Sequence, residues 1–402
     1  MKRKKSVVTG PRAAAPSRLV EARAARRSAA PARSAGGWSV RSAAAVPQWV
    51  ESTPAVESSP RPQVDLGIDL APRRPGALVL RNPILVASGT FGYGIEYADV
   101  VDVQRLGAIC CKGTTLEARV GNPPPRVTET PAGMLNSIGL QNPGVDEVLE
   151  RYAPLWARWQ VPVLVNVAGE SIEDYVGVVR KLDGMPGIAG VELNISCPNV
   201  GRGGLQFALD REAAGAVTAA VRRATELPLM VKLSPAATDV REIAKAIEGA
   251  GADSISAINT LSGMALDRER RRPLLGNTYG GLSGPALKPV GLRVVYEVAQ
   301  VVAIPIVAIG GVGSLDDVLD YLMAGASAVQ VGTAIFADPA LPERLIGELQ
   351  AYCAARGLPS HRDLIGVALP RARVPGGRVP GETSGSRRTR ERPSTKGVEY
   401  RP

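Results

Sequence analysis

Residues 304–335 read IPIVAIGGVGSLDDVLDYLMAGASAVQVGTAI. An apolar, β-branched run over 304–312 stops at Gly310 and Gly311, and a second such run, AVQVGTAI over 328–335, stops at Gly332 and Thr333. Between them Ser314 stands in front of LDDVLDYLMAGA, whose apolar residues recur every three or four positions. That is the pattern of an amphipathic helix behind an N-cap serine. The flanking runs are apolar at successive positions, as strands buried on both faces are, so the segment predicts a strand, a covering helix and a parallel strand.

The same unit recurs towards the N-terminus. Further runs are ILVASG (84–89), AICCKG (108–113), VPVLVNVAG (161–169), GVELNISCPN (190–199), LPLMVKLSP (227–235) and ADSISAINT (252–260), and Asp210 caps another helical stretch, REAAGAVTAAVRRATE. Eight strand-then-helix units, with no dinucleotide-binding glycine fingerprint after the first strand, predict an α/β fold of the TIM (β/α)8 barrel type. A doubly wound sheet is the alternative.

Of the 402 residues 45% are hydrophobic, enough for one large core, and 44 Gly with 33 Pro imply many turns. The formal charge of +10 is carried by the ends: residues 1–62 hold 12 Lys and Arg against 3 Asp and Glu, and residues 371–402 hold 9 against 3. The body between them is net acidic, which argues against a nucleic-acid-binding core. Residues 1–62, rich in Ala, Arg, Ser and Pro, lack a periodic apolar face and read as a disordered basic extension. They lack the apolar stretch of a secretory signal, and an organellar transit peptide is the alternative reading. Residues 63–358 are assigned to the barrel and 359–402 to a basic disordered tail.

No window reaches the roughly 18 apolar residues of a membrane span. Cys110, Cys111, Cys197 and Cys353 show no CxxC spacing, so no metal site and no disulfide framework is expected, and a reducing cytoplasm fits. The one histidine, His361, falls beyond the barrel and is expected at the surface, outside catalysis.

In a barrel of this type the chemistry gathers at the C-terminal ends of the strands. Those ends are Ser88-Gly89, Lys112-Gly113, Asn166, Asn194 with Cys197 and Asn199, Lys232, Asn259-Thr260, Gly310-Gly311 and Gly332-Thr333, while Asn136 lies in the loop MLNSIGLQN. Side-chain amides, each both donor and acceptor, suit a planar heterocycle whose edge alternates C=O and N–H. Two lysines supply positive charge, and the last glycine pairs let backbone N–H groups approach a phosphate. The group reads as a site for a phosphorylated cofactor beside a small planar substrate. Singly these residues are turn formers, caps or, as for Cys110, Cys111 and Cys353, small buried hydrophobes; their joint occurrence at successive strand ends favours the site.

The motifs LNISCPN, NSIGLQN, VKLSP, INT, GGLSGPALKP, AIGGV and VGTAIF, spread over about residues 64 to 358, together resemble the class 1 dihydroorotate dehydrogenases, and within them the catalytic flavin subunit of the B type. The resemblance implies a barrel carrying FMN that oxidises dihydroorotate to orotate in pyrimidine synthesis. It implies FMN contacts at Ser88, Lys112, Gly113, Asn166, Asn194, Lys232, Ile258, Gly284, Gly310, Gly311, Gly332 and Thr333. Substrate contacts would come from Lys112, the loop Asn136, Ser137, Ile138, Gly139 and Leu140, then Asn194, Asn199, Asn259 and Thr260. No metal ligand is implied on this chain.

The oxidation removes one carbon-bound proton and one hydride, so a base must face the flavin across the substrate. In the family pattern that base is Cys197, where class 2 enzymes have Ser, and Lys232 stabilises the negative charge that the hydride brings. An ordinary thiol is mostly protonated at neutral pH, so activity should rise with pH. Val200, Gly201, Arg202, Gly203 and Gly204 are expected to form a lid. B-type enzymes hand their electrons to NAD through a second subunit carrying FAD and a 2Fe-2S cluster, in a heterotetramer built on a dimer of catalytic subunits, and that partner is expected here. The alternatives are an A-type homodimer reducing fumarate and a non-redox ligand- or phosphosugar-binding barrel. The connection from Leu261 to Pro285, with its DRERRRP run, reads as a rim, an interface or a solvated basic loop.

Overall fold

A computed structural model describes residues 64–195 and 207–370 of the chain. The basic extension 1–62, Cys197, Asn199, the expected lid and everything beyond residue 370 lie outside the described residues.

All eight predicted runs contain a strand: β1 (Ile84–Val86), β2 (Ala108–Cys110), β3 (Val163–Val167), β4 (Gly190–Asn194), β5 (Leu229–Leu233), β6 (Ser254–Ala257), β7 (Ile306–Ile309) and β8 (Ala328–Val331). Each pairs in parallel with the next and β8 closes on β1, giving the (β/α)8 barrel rather than a doubly wound sheet. The strands are shorter than the runs because each run also includes the loop residues at the barrel mouth.

Successive residues of a strand alternate between the two faces, and paired residues in a parallel ladder share a face. Outward residues such as Val165, Leu193, Val231 and Val329 join one apolar cluster with the inner faces of the helices. Inward residues Leu85, Ala108, Leu164, Met230, Val307 and Ala328 form a second cluster, completed by the N-terminal hairpin Ile68–Asp69 with Val79–Leu80. The barrel is a packed core at this level, not a pore.

The covering helices are α1 (Val145–Arg151) and α2 (Ala153–Trp156) after β2, α3 (Ile172–Leu182), α4 (Arg211–Arg222), α5 (Val240–Gly249), α6 (Lys288–Val298), α7 (Leu315–Met323) and α8 (Leu341–Ala355). The predicted caps are present: Asp210 accepts from the Ala213 N–H and Ser314 from the Asp317 N–H. No described helix is long and apolar enough to cross a membrane.

The structure adds detail to one part of the sequence reading and corrects another. The connection from Leu261 to Pro285 is ordered into strands: Leu261–Met264 and Tyr279–Ser283 pair with Gly133–Asn136, which pairs with Val127–Thr130, forming a four-stranded antiparallel sheet between the connections after β2 and β6. Short strands, three of them containing glycine, in two hairpins that pair with each other only across more than a hundred residues, leave little periodic signal. The boundary at 358 is too early. Residues 359–370 belong to the fold, with Ser360 and His361 buried and a 3-10 turn at His361–Leu364. The Ser360 hydroxyl donates to the Asp65 carbonyl at 2.8 Å and Arg362 pairs with the Asp65 carboxylate. These long-range ties replace the apolar periodicity that the segment lacks, and they put His361 in the interior rather than at the surface.

Candidate active site

At the mouth end of the barrel the inward positions turn polar. The registers Asn166↔Glu192, Asn194↔Lys232, Lys232↔Ser256 and Leu85↔Gln330 place these polar side chains on the inner face above the apolar cluster. Asn166, Glu192, Asn194, Lys232, Ser256 and Gln330 are all buried. A buried polar group must find a partner, and here they find one another.

Lys232 Nζ donates to Ser88 Oγ at 3.3 Å and lies 3.6 Å from Glu192 Oε2. The amides of three strand ends form a directed chain. Asn259 Nδ2 donates to Asn194 Oδ1 at 3.2 Å, Asn194 Nδ2 to Asn166 Oδ1 at 3.5 Å, and Asn166 Nδ2 to Glu192 Oε2 at 2.6 Å. Ser256 Oγ and Gln330 Nε2 donate to Glu192 Oε1 at 2.8 and 2.9 Å. Burial pushes the Glu192 carboxyl up, but the Lys232 ammonium and the three hydrogen bonds from Gln330, Ser256 and Asn166 outweigh it and hold the group below the ordinary value of 4.5. The Tyr175 hydroxyl, from α3, donates to the Asn194 carbonyl at 2.8 Å, fixing the end of β4 from which the chain runs towards Cys197.

Lys112 is half-buried just past β2, its N–H bonded to the Gly92 carbonyl. Burial pulls its ammonium pKa down, with Glu96 opposing and Arg126 adding to the shift. At Gly113 a Cβ would stand 3.1 Å from Asn166 Oδ1 and from the Leu140 side chain, so glycine lets the amide and the loop come together.

Asn136 sits in the antiparallel sheet, its Nδ2 donating to the Gly281 carbonyl at 3.3 Å, and Thr260 lies against the same glycine. The N–H of Thr260 donates to Asn259 Oδ1 at 2.8 Å. Among the expected substrate residues, Ser137 is fully buried and its Oγ accepts from Asn122. Ile138 accepts the Asn122 N–H through its carbonyl, while Gly139 and Leu140 turn the chain with φ of 72° and 55°. Asn142 pins that turn: its Nδ2 donates to the Leu140 carbonyl at 2.7 Å and Thr115 Oγ1 at 2.8 Å.

On the opposite side of the mouth, Gly310 and Gly311 follow β7 and Gly332 and Thr333 follow β8, where Thr333 opens a 3-10 turn. Thr333 Oγ1 donates to Ser283 Oγ at 2.7 Å, bringing in the segment that holds Gly284. A Cβ on Gly311 would meet the Lys288 Cβ at 2.7 Å. Ile258, buried, follows β6 and leads into Asn259. The described residues that the sequence reading selected therefore lie at or beside one mouth.

Glu192, Ser256, Gln330 and Asn142 were missed. Glu192 and Gln330 had a readable signal, because each is a polar residue within an apolar strand and Glu192 stands two positions before Asn194, on the same face.

The residues fit a phosphorylated flavin. Ser88, Asn166 and Lys232 present hydroxyl, amide and ammonium groups on one side of the mouth, while the glycine-rich ends of β7 and β8 face it where this fold holds phosphates. A Cβ on Gly89, beside Ser88, would meet nothing within 4 Å, so that rim is open. Among the described residues no cluster of three or more His, Cys, Asp or Glu is placed to hold a metal ion.

A family model described as dihydroorotate dehydrogenase matches residues 76–352. The chain is 52% identical over 293 residues, 73% of its length and 96% of the relative's, to a Desulforamulus reducens protein named dihydroorotate dehydrogenase B (NAD(+)), catalytic subunit. A Geotalea daltonii protein of the same name is 49% identical over 303 residues, 75% of this chain and 98% of the relative. Among solved structures, DHODH of Eimeria tenella in complex with ferulenol shares the fold with a TM-score of 0.64 at 22% identity, over 76% of this chain and 89% of that one.

Proposed function

The chain belongs to the dihydroorotate dehydrogenase family, and from that premise we propose that it oxidises (S)-dihydroorotate to orotate in de novo pyrimidine synthesis, as the catalytic subunit of a B-type enzyme whose final acceptor is NAD. The observation that carries this reading is the chain of amides from Asn259 through Asn194 to Asn166, beside Lys232, at the ends of the barrel strands. It offers a flat ring alternating donors and acceptors in a buried setting, and such a site strongly rejects rings that lack the matching groups.

FMN, when bound, supplies the electron acceptor for this oxidation. Ser88, Asn166, Lys232 and Ile258 would hold its ring, with Lys112, Gly113 and Asn194 at the boundary with the substrate. Gly284, Gly310, Gly311, Gly332 and Thr333 would hold its phosphate through backbone N–H groups and a hydroxyl. Asn136, Asn199, Asn259 and Thr260, with the turn at Ile138, Gly139 and Leu140, would orient dihydroorotate. Cys197 takes the carbon-bound proton, and Lys232 supplies the fixed positive charge that favours the products of the oxidation.

The relatives' names, which specify a catalytic subunit and NAD(+), support a partner subunit. We assign FAD and a 2Fe-2S cluster to that partner and a heterotetramer built on a dimer of this chain to the assembly. Cys110, Cys111 and Cys353 are free thiols, which suits a reducing cytoplasm.

The test is the visible spectrum of the FMN-loaded chain before and after anaerobic dihydroorotate. Bleaching in the parent and not in Cys197→Ala is expected; a flavin that stays oxidised in the parent overturns the substrate assignment, and a chain that takes up no flavin favours a non-redox barrel. Reoxidation by NAD through the partner, and not by fumarate, separates the B type from the A type.

A further inference from the structure

Glu192 has no part in the reaction as proposed, yet four strands converge on it. Its side chain is 0% exposed on the inner face of β4. Ser256 of β6, Gln330 of β8 and Asn166 of β3 each donate a hydrogen bond to it, and Lys232 of β5 supplies the nearby cation. An anion buried this deeply is expensive to keep, and neighbouring inward positions at Leu164, Met230 and Val307 show that the barrel fills with apolar residues where no charge is needed.

A carboxylate only accepts hydrogen bonds. Asn166 must therefore turn its NH2 towards Glu192, which leaves its Oδ1 to accept from Asn194; Asn194 Oδ1 is then the acceptor for Asn259 Nδ2, and Asn259 Oδ1 accepts the Thr260 N–H. Flipping any one amide would set oxygen against oxygen or NH2 against NH2. The direction of the whole chain is thus set at its two ends, by the Glu192 carboxylate, which cannot donate, and by the Thr260 N–H, which cannot accept.

We propose that Glu192 is the positioning residue of this site: it neutralises Lys232 and fixes which edge, donor or acceptor, Asn166, Asn194 and Asn259 turn towards the bound rings. The inference rests on the reading of the mouth as the FMN and dihydroorotate site and deepens it by naming what sets that site's polarity. The other titratable groups near Glu192 are the thiols of Cys110 and Cys111, at and just after the end of β2. Burial pushes both up, Cys111 to about 12, so both stay neutral through the neutral range.

The experiment compares full-length parent and Glu192→Gln, each stripped of flavin, titrated with FMN and then, once loaded, with orotate. Gln keeps the shape, removes the charge and has one oxygen where the carboxylate has two, so it cannot accept from Asn166 and from Ser256 and Gln330 together. Both ligands are expected to bind at least about tenfold more weakly. Affinities within about twofold of the parent for both ligands overturn the proposal, since a merely structural role moves stability and not these readouts.

Lys232→Met provides a second test that does not depend on the folding of Glu192→Gln. It leaves Glu192 as the unpaired buried charge, so FMN affinity must recover as the pH falls and Glu192 takes up a proton; a pH-independent affinity overturns the proposal. A parent whose flavin never bleaches with dihydroorotate overturns the proposed function instead, which keeps the two failures distinct.

Discussion

Lys232 Nζ stands 3.6 Å from Glu192 Oε2 inside the barrel, with the two side chains 6% and 0% exposed. Removing one partner of such a pair strands the other in a medium that solvates it poorly. Lys232→Met is expected to lose about 3–5 kcal/mol of unfolding free energy in urea, and the double variant with Glu192→Gln to recover most of it. The pH dependence has a definite sign. The Glu192 carboxyl is held below its ordinary 4.5 in the fold, so its contribution is present above that value and is lost as the pH falls through the folded value. In Lys232→Met the buried acid prefers its proton, and the stability gap to the parent should narrow on acidification.

Gly281 and Thr260 are in contact. A Cβ on Gly281 would fall 2.1 Å from Thr260 Oγ1, so Gly281→Ala must displace Thr260. With Thr260 assigned to the substrate and not to FMN, KM for dihydroorotate should rise by about tenfold or more. FMN affinity, read by titration of the flavin-free protein, should be unchanged.

Cys197→Ala is expected to slow flavin reduction by dihydroorotate by about 10²–10⁴-fold, the usual contribution of a positioned base. In the parent the same stopped-flow rate should climb with pH towards the ordinary thiol value of about 8.5. A flat profile would assign proton removal to another group.

A chain ending at residue 358 should be less stable than one ending at residue 370. The shorter chain loses the Ser360 hydrogen bond to Asp65, the Arg362–Asp65 pair and the buried His361. Burial pulls the His361 imidazole below its ordinary 6.5 and the Arg362 charge adds to the shift, with the backbone of Asp65 and Ser327 pulling the other way. The unfolded chain therefore binds the proton more readily, and the stability of the 370-residue form should decline as the pH falls below about 6.5, a slope that the shorter form loses.

The eight strands were legible because a buried parallel strand writes an apolar run, and each run carries its turn chemistry at its own end. Most site residues followed from the fold, since knowing where strands end in a barrel says where to look. The antiparallel sheet was not legible, because Gly281 pairs with Asn136 across 145 residues and neither segment alternates strongly enough to announce it. The closing segment at Ser360 and His361 was missed for the same reason, being held by Asp65 from the other end of the fold.

By itself the sequence determined the barrel, the set of polar residues at its mouth and, through its motifs, the chemistry to expect there, because each of these depends on local pattern and on residue identity. Only the tertiary structure decided that Glu192 faces Lys232 and orders the amides of Asn166, Asn194 and Asn259. Hydrogen-bond direction depends on which donors and acceptors meet in space, and those groups come from strands distant in the chain, brought into register only when the barrel closes.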